Sequence, residues 1–227
     1  ERDPAQIPHA AHKIDIVLEC SGKFNSRDQS AAHLTAGAKK VLVSAPCKNA
    51  DMTVVYGVNH DQLNACVDVV SNASCTTNCL APIAKVLADT VGIEAGYMTT
   101  IHAYTGDQPT LDSSHKDLRR ARAAAMSMIP TSTGATSAVG EVLPTLIGTM
   151  NGSAIRVPTA NVSVVDLVVT TSRDTSLDEI NQAFRDAANG QMRGVLGTNE
   201  RPLVSIDFNH DPHSSVADLT QTNVANK

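Results

Sequence analysis

Residues 71–82 read Ser-Asn-Ala-Ser-Cys-Thr-Thr-Asn-Cys-Leu-Ala-Pro, and the elements predicted on either side of this stretch indicate the position of its first cysteine in the fold. A β-branched run at residues 67–70 predicts a buried strand, and an apolar-periodic segment after it predicts a helix. Cys75 therefore lies at a strand-to-helix turn, where unpaired N–H groups and the helix dipole favour a nucleophilic thiolate. The alternative is a small buried core residue, as many free cysteines are. The polar neighbours Ser74 and Thr76 favour a site.

The composition excludes several classes of protein. A chain of 227 residues is long enough for one large or two modest domains with a substantial core. Its net charge of −5 gives no basic footprint for nucleic acid. No apolar run reaches the roughly 18 residues of a membrane span, and no signal-peptide pattern is seen. The five cysteines lack the paired spacing of a disulfide framework or a zinc site, so we expect a reducing cytoplasm and no metal.

The first third of the chain has the alternation of a parallel α/β sheet. Strands are expected at residues 14–19, 41–43 and 53–58, and a helix at residues 26–38. Ligands of such sheets lie beyond the carboxyl ends of the strands, where the loops carrying Ser21 and Ser44 follow. None of the thirteen glycines forms G-x-G-x-x-G. Either this is not a dinucleotide fold, or its first βαβ unit lies upstream of Glu1.

The segment after Cys75 predicts a helix and then a strand. Apolar residues recur at helical spacing up to residue 91, but Pro82 predicts either a late helix start or a bend. A strand is expected at residues 94–102. Histidines at strand ends are commonly structural, yet a strand–helix–strand unit could return His102 to the helix that Cys75 begins. An imidazole is the usual partner of a nucleophilic cysteine.

The remaining chain offers candidate anion-binding groups. Residues 107–130 show no period, and their basic cluster around Arg120 is either a solvated face or a contact for phosphate or a subunit. The Ser-Thr-Gly sequence at residues 132–134 precedes an apolar helix and is either an anion site or an ordinary N-cap. Arg156 interrupts a strand and points either to water or into a site. Further strands are expected at residues 154–157, 162–170 and 204–208, and a capping box of Ser176 and Glu179 predicts a helix that ends at Asn189-Gly190.

Five segments together carry a family resemblance. They are residues 71–82, 102–105 (His-Ala-Tyr-Thr), 115–122 (His-Lys-Asp-Leu-Arg-Arg-Ala-Arg), 132–134 (Ser-Thr-Gly) and 156–159 (Arg-Val-Pro-Thr). In this order they resemble signatures of phosphorylating glyceraldehyde-3-phosphate dehydrogenases of the bacterial type I, and the match runs from about residue 14 to the end. Family members begin with a Gly-rich fingerprint and end with a long helix, and neither pattern is present.

The resemblance implies an internal fragment of α/β class. A partial Rossmann-type parallel sheet, residues 1–74, would be the second half of an NAD-binding domain without its first βαβ unit. Residues 75–227 would be an α+β catalytic domain with a mixed or antiparallel sheet, lacking the C-terminal helix. The residue that sets the preference for NAD over NADP would precede Glu1, so NAD is implied by the resemblance alone.

The resemblance also implies a reaction. The family oxidises and phosphorylates glyceraldehyde 3-phosphate to 1,3-bisphosphoglycerate with NAD and inorganic phosphate, in glycolysis and gluconeogenesis. Cys75 would form the thioester and His102 would act as base. The expected substrate and phosphate ligands are Ser74, Thr76, Thr105, Arg120, Thr133, Gly134 and Arg156. Ser21 and Ser44 would line the cofactor. The loop at residues 107–130 would contact other subunits of a homotetramer in the cytoplasm. No binding to nucleic acid, to a membrane or to a metal ion is expected.

Three alternatives remain open. Erythrose-4-phosphate dehydrogenase is similar at residues 207–213, although the Ser-Thr-Gly loop at residues 132–134 argues against it. A cysteine hydrolase using Cys75 and His102 would turn over without nicotinamide. A non-catalytic fragment would at most assemble or bind partners.

Overall fold

The computed structural model of the protein describes residues 1–225, which divide into two compact units, one of residues 1–78 and one of residues 79–225. Each unit has its own sheet. Among the described residues no helix is long and apolar enough to cross a bilayer.

The first unit is built on a four-stranded parallel sheet in the order β1-β2-β4-β3. Its strands are β1 (Ile16–Glu19), β2 (Lys40–Val43), β3 (Met52–Thr53) and β4 (Val69–Ser71). Val41, Val43 and Val69 form a buried cluster with Cys47. The carboxyl ends of three strands are in register, since Glu19 pairs with Val43 and Val43 with Ser71. The prediction of a parallel sheet is confirmed.

Two short helices connect β1 to β2, namely α1 (Arg27–Ser30) and α2 (Ala32–Thr35). The Oγ of Ser26 caps α1 by accepting from the backbone N–H of Gln29. The single helix expected at residues 26–38 is therefore divided. The chain leaves this region through Gly37, whose φ of +104° and close approach to Ala10 exclude a side chain, because a Cβ would lie 2.5 Å from the Ala10 Cβ.

The strand expected at residues 53–58 is wrong beyond Thr53. The Asn59 side chain organises a turn instead, because its Oδ1 accepts from the N–H of Val55 at 2.9 Å and its Nδ2 donates to the carbonyl of Thr53 at 3.0 Å. Gly57 has a φ of +83° within this turn. Local side-chain bonds of this kind compete with strand pairing.

Helix α3 (Cys75–Thr90) follows β4 and spans the division between the units. It begins at Cys75 and contains Pro82 in its interior, so the expectation of a late start is wrong. Leu80, Ala84 and Leu87 are buried, as the apolar spacing predicted, while Ile83 of the same series is half-buried.

The second unit contains a mixed four-stranded sheet in the order β6-β7-β5-β8. Its strands are β5 (Ala95–Ala103), β6 (Ile129–Thr131), β7 (Met150–Val157) and β8 (Val164–Thr170). β5 and β7 are parallel, whereas β8 and β6 pair antiparallel with them. This register places His102 directly opposite Arg156. The prediction of a parallel sheet followed by a mixed sheet is confirmed.

The rest of the unit consists of α4 (Ala135–Val142), α5 (Leu177–Asn189) and the parallel pair β9 (Leu196–Asn199) and β10 (Ser215–Asp218). Ser176 caps α5 as expected, since its Oγ accepts from the N–H of Glu179 at 3.2 Å. The strand expected at residues 204–208 is wrong. Ser205–Phe208 is a 3-10 helix whose Asp207 carboxylate accepts from the N–H of Val204 at 2.8 Å. β9 and β10 were not predicted.

Candidate active site

The turn between β4 and α3 presents Cys75 to solvent. Ala73 takes a left-handed conformation with a φ of 56°, and its N–H donates to the Oγ of Ser71 at 3.2 Å. The next residue, Ser74, caps the helix, because its Oγ accepts from the N–H of Thr77 at 3.0 Å. Cys75 thus becomes the first residue of α3, among the backbone N–H groups that have no partner within a helix.

The neighbours expected to bind phosphate have different environments. The hydroxyl of Ser74 lies 2.7 Å from the hydroxyl of Thr77, so the cap already uses it. The side chain of Thr76 is buried, with 7% of the residue exposed. A role for either residue in phosphate binding stays a prediction.

Ser21 and Ser44 follow two adjacent strands at the carboxyl edge of the parallel sheet. Ser21 donates to the Glu19 carboxylate with its N–H, at 2.7 Å, and also with its hydroxyl. Ser44 donates from its Oγ to the backbone carbonyl of Glu19 at 3.2 Å. The structure therefore places both predicted cofactor residues at one edge, where parallel sheets bind ligands.

A buried polar network continues inward from this edge. The Glu19 carboxylate contacts His33 Nε2 at 3.0 Å, and His33 Nδ1 lies 3.0 Å from His9 Nε2. All three residues are buried. Burial raises the pKa of the Glu19 carboxyl, but hydrogen bonds from Ser21 and His33 outweigh burial and hold this pKa below its usual value.

His102 and Arg156 meet at the carboxyl ends of β5 and β7. The Nη1 of Arg156 lies 2.8 Å from His102 Nδ1 and donates to the carbonyl of Ala103 at 3.0 Å. His102 Nδ1 is itself 2.7 Å from the same carbonyl oxygen. The structure thus joins a predicted base to a predicted anion ligand, and His102 is 7% exposed.

Arg120 is engaged by a carboxylate. Its Nη1 lies 2.5 Å from the Asp107 Oδ2, and its Nε donates to the Thr131 hydroxyl at 2.8 Å. Burial raises the pKa of the Asp107 carboxyl, but hydrogen bonding and the charge of Arg120 outweigh burial, so the pKa is lowered. Thr105 lies in the same network, because the N–H of Asp107 reaches its Oγ1 at 3.5 Å. The backbone N–H of Thr105 donates to Gln108 Oε1 at 3.0 Å.

The Ser-Thr-Gly segment at residues 132–134 leads into α4. The Oγ1 of Thr133 accepts from the N–H of Ala135 at 3.1 Å, while Gly134 is the exposed N-cap residue with a φ of −91°. Arg120 Nη2 approaches the Ser132 carbonyl at 3.5 Å, which links this segment to the Arg120 network. The local geometry is that of an N-cap, and anion binding there stays a prediction.

The sequence interpretation missed residues that hold the candidate groups. Glu19 could have been found, because a carboxylate inside an apolar strand must be paired when it is buried. Asp107 carried a weaker signal as the only acid in the stretch 103–111 beside the basic loop. Ser163 carried none, although its Oγ accepts from the N–H of Ala103 at 3.1 Å. Across residues 1–225, no group of three or more His, Cys, Asp or Glu side chains could hold a metal ion.

Comparison with known proteins gives consistent matches. The family model described as "Glyceraldehyde 3-phosphate dehydrogenase, C-terminal domain" matches residues 74–227. A glyceraldehyde-3-phosphate dehydrogenase of Xanthobacter flavus is 66% identical over 223 residues, which cover 98% of this chain and 67% of that protein. One from Cereibacter sphaeroides is 63% identical over 98% of this chain and 66% of its own length. One from Pseudomonas aeruginosa is 59% identical over 100% and 67%. The chain spans about two thirds of the length of these relatives.

Proposed function

The chain belongs to the glyceraldehyde-3-phosphate dehydrogenase family, and we propose that it oxidises and phosphorylates glyceraldehyde 3-phosphate to 1,3-bisphosphoglycerate with NAD. The observation that carries this proposal is the pair formed by His102 and Arg156, whose side chains are 2.8 Å apart. This pair supplies a proton acceptor and an anion ligand side by side at the carboxyl ends of β5 and β7. Chemistry on a phosphorylated aldehyde requires both.

In the proposed reaction Cys75 is the nucleophile and His102 the general base. His102 takes the proton of the Cys75 thiol, the thiolate adds to the aldehyde carbon, and the protonated His102 returns that proton to the oxyanion to give a hemithioacetal. His102 then removes the hydroxyl proton while the carbon loses its hydride and becomes a thioester. Inorganic phosphate attacks the thioester carbon, and the C–S bond breaks to release the acyl phosphate and the thiolate. Dividing oxidation from acyl transfer in this way conserves the oxidation energy in the thioester.

Residues at the carboxyl edge of the parallel sheet fit the cofactor. Ser21 and Ser44 would hold it there, and Gly22 leaves open space, since no atom lies within 4 Å of the position that a Cβ would take. Gly22 has a φ of +72°, so its backbone turns in a way that favours glycine. Bound NAD would accept the hydride from the hemithioacetal carbon.

Two anions must be held, and the candidate ligands fall into two groups. Arg156 lies beside the imidazole of the proposed base, so a phosphate bound to its guanidinium fork would be held next to the reacting centre by charge-assisted hydrogen bonds. Arg120 already faces Asp107 and would have to share its guanidinium. We therefore assign Arg156 the stronger role. The supporting ligands are Ser74, Thr76, Thr105, Thr133 and Gly134.

The proposal extends to the organisation of the protein. Residues 1–74 would serve the cofactor and residues 75–227 the chemistry. The loop at residues 107–130 would contact other subunits of a homotetramer in the cytoplasm. Support for this contact comes from large apolar side chains of the loop that are at least 74% exposed, namely Leu111, Leu118, Met126 and Met128.

The test is a spectrophotometric assay of NAD reduction with glyceraldehyde 3-phosphate and inorganic phosphate. Cys75→Ser should abolish turnover, because an alkoxide forms too rarely at neutral pH to replace the thiolate. Cys79→Ser is the matched control, since it changes a cysteine one helical turn away and should leave kcat within about twofold. Full activity of Cys75→Ser would refute the proposal. Hydrolytic turnover without NAD would indicate a cysteine hydrolase.

Erythrose 4-phosphate is the second candidate substrate. The resembling segment at residues 207–213 touches the loop that follows β7, because Asn161 Nδ2 donates to Asn209 Oδ1. This contact brings that segment toward the loop carrying Pro158 and Thr159. Side-by-side kcat/KM values for the two aldehyde phosphates decide between them, and we expect glyceraldehyde 3-phosphate to be preferred.

A further inference from the structure

The guanidinium of Arg120 has a partner on each of its three nitrogens. Its Nη1 lies 2.5 Å from Asp107 Oδ2. Its Nε donates to the Thr131 hydroxyl at 2.8 Å, and its Nη2 approaches the Ser132 carbonyl at 3.5 Å. The Asp117 carboxylate is more distant, at 3.6 Å from Nε. A carboxylate oxygen of Asp107 thus lies where a phosphate oxygen could bind, because the guanidinium fork binds both kinds of anion.

The buried amide of Gln108 holds Asp107 and Thr105 in this arrangement. Gln108 Nε2 donates to Asp107 Oδ2 at 3.2 Å, and Gln108 Oε1 accepts from the N–H of Thr105 at 3.0 Å. The orientation of the amide is fixed, since a backbone N–H can only donate. The Thr105 hydroxyl also donates to the same Oε1, at 3.3 Å. Both predicted phosphate ligands, Thr105 and Arg120, are therefore bonded to side chains of the segment 105–108.

The contact between Asp107 and Arg120 can open. The side chain of Asp107 is 42% exposed and that of Arg120 is 23% exposed, so water can replace the partner of either group. Ion pairs that are accessible to water shift an equilibrium by up to about fivefold. A phosphate group is itself an anion, so it repels the carboxylate and competes with it for the guanidinium. The ion pair is therefore a contact that a phosphate group can displace.

We propose that Asp107 is an internal competitor of phosphate at Arg120 and so determines how tightly the protein binds a phosphate group there. The proposal rests on the proposed function only for the role of Arg120 as an anion ligand. While the ion pair is closed, the guanidinium is available in a fraction of the molecules, and the apparent affinity for phosphate is reduced by that fraction. A carboxylate that only positioned Arg120 would have the opposite effect, because its loss would weaken binding.

The binding test is isothermal titration calorimetry with inorganic phosphate, without aldehyde or NAD. Asp107→Asn keeps the shape of the side chain and removes its charge, and we expect it to lower Kd by about 3-fold to 10-fold. Asp112→Asn is the matched control, since Asp112 pairs with Arg122 in the same loop at 3.0 Å. It removes the same charge and should leave Kd within about twofold. Adding Arg120→Gln to Asp107→Asn should abolish the gain in affinity.

Three results of the calorimetry would overturn the proposal. The first is an unchanged or higher Kd in Asp107→Asn, and the second is an absence of phosphate binding by both the unchanged protein and this variant. The third is an equal gain in Asp112→Asn, because the loss of net charge alone would then explain the effect. The calorimetry needs no turnover, so an inactive protein with the expected changes in Kd would refute the proposed function and leave this inference standing.

Steady-state kinetics of Asp107→Asn identify the phosphate group that competes with the carboxylate. KM for inorganic phosphate should fall if that group is the attacking phosphate, and KM for glyceraldehyde 3-phosphate should fall if it belongs to the substrate. In both cases kcat should not rise, since tighter binding of the ground state lowers KM without raising kcat. In an active enzyme, unchanged values of both KM constants would overturn the proposal.

Discussion

Two polar networks, one in each unit, are built around different centres. In the first unit a buried carboxylate, Glu19, is surrounded by donors from Ser21 and His33. In the second unit a neutral carbonyl, that of Ala103, is approached by an imidazole and a guanidinium. The first network is centred on a carboxylate that accepts hydrogen bonds from its neighbours, whereas the second contains a guanidinium, the group that binds phosphate and carboxylate in a planar fork. We therefore expect the Glu19 network to govern stability and the Ala103 network to govern activity.

The largest effect should come from exchanging one histidine in each network. His102→Gln should lower kcat by about 100-fold to 10,000-fold, because it removes the general base. His33→Gln should instead reduce the free energy of unfolding by about 1–3 kcal/mol, because it disturbs a buried hydrogen-bonded carboxylate, and kcat should be nearly unchanged. Steady-state kinetics and urea unfolding of both variants provide the comparison. Equal losses of kcat would show that the two networks do not differ in this way.

The two arginines of the second unit give the next contrast. Arg156→Lys should lower kcat/KM for the aldehyde phosphate by about 10-fold to 100-fold, because lysine lacks the planar guanidinium fork. Arg120→Lys should lower it only a few-fold, since Asp107 already neutralises Arg120. Arg122→Lys, in the same loop and paired with Asp112, is the control. A larger effect at Arg120 would reverse our assignment of the stronger anion ligand.

A smaller effect should appear in the pH dependence of stability. The pKa of the Glu19 carboxyl in the folded protein lies below its usual value of 4.5, so in acid the unfolded chain binds more protons than the folded chain. The stabilisation is fully present above pH 4.5 and is lost as the pH drops through the lowered folded pKa. Glu19→Gln should cost about 1–2 kcal/mol at pH 7, and the cost should shrink in acid. Urea titrations between neutral and acid pH measure this, with the exposed Glu94→Gln as control. A constant difference would contradict the prediction.

The smallest effect should come from Gly134→Ala. The nearest atom to a Cβ there is the Ser137 Oγ at 4.0 Å, and the φ of −91° suits any residue. We expect stability to change by less than about 0.5 kcal/mol and KM for phosphate to stay within about twofold, since the N–H is kept. Gly152→Ala is the contrast, because its Cβ would lie 2.5 Å from the carbonyl of Met98. Thermal denaturation should show a clear loss for Gly152→Ala alone.

The sequence correctly predicted those elements that depend on neighbouring residues, such as a helix cap or an apolar helix face that is buried. Ser176 caps α5 as its spacing to Glu179 indicated, and the apolar face of α3 is buried. Two strand predictions were wrong, because short polar side chains bind the backbone in those segments. Asn59 closes a turn over residues 53–59, and the Asp207 side chain caps a 3-10 helix in a segment whose Val204 and Ile206 are exposed by more than 60%. Apolar content alone could not reveal that competition.

For the candidate site, the sequence predicted which residues take part but not which of them contact one another. His102 and Arg156 were identified separately, yet only the register of β5 and β7 shows that they face one another. Arg120 was identified as an anion ligand, but Asp107, thirteen positions earlier, already contacts it. Such pairings depend on how distant segments align, which spacing along the chain does not specify.

Pro82 has a consequence for how α3 opens. It has no N–H to bond the carbonyl of Asn78, so the backbone ladder is interrupted one turn after Cys75, close to where the two units divide. The first turn can then fray without unravelling the rest of the helix. In hydrogen–deuterium exchange we expect the amides of residues 75–78 to lose protection well before those of residues 83–90. The sulfur of Cys75 would thus lie on a first helical turn that unfolds locally while the rest of α3 stays folded.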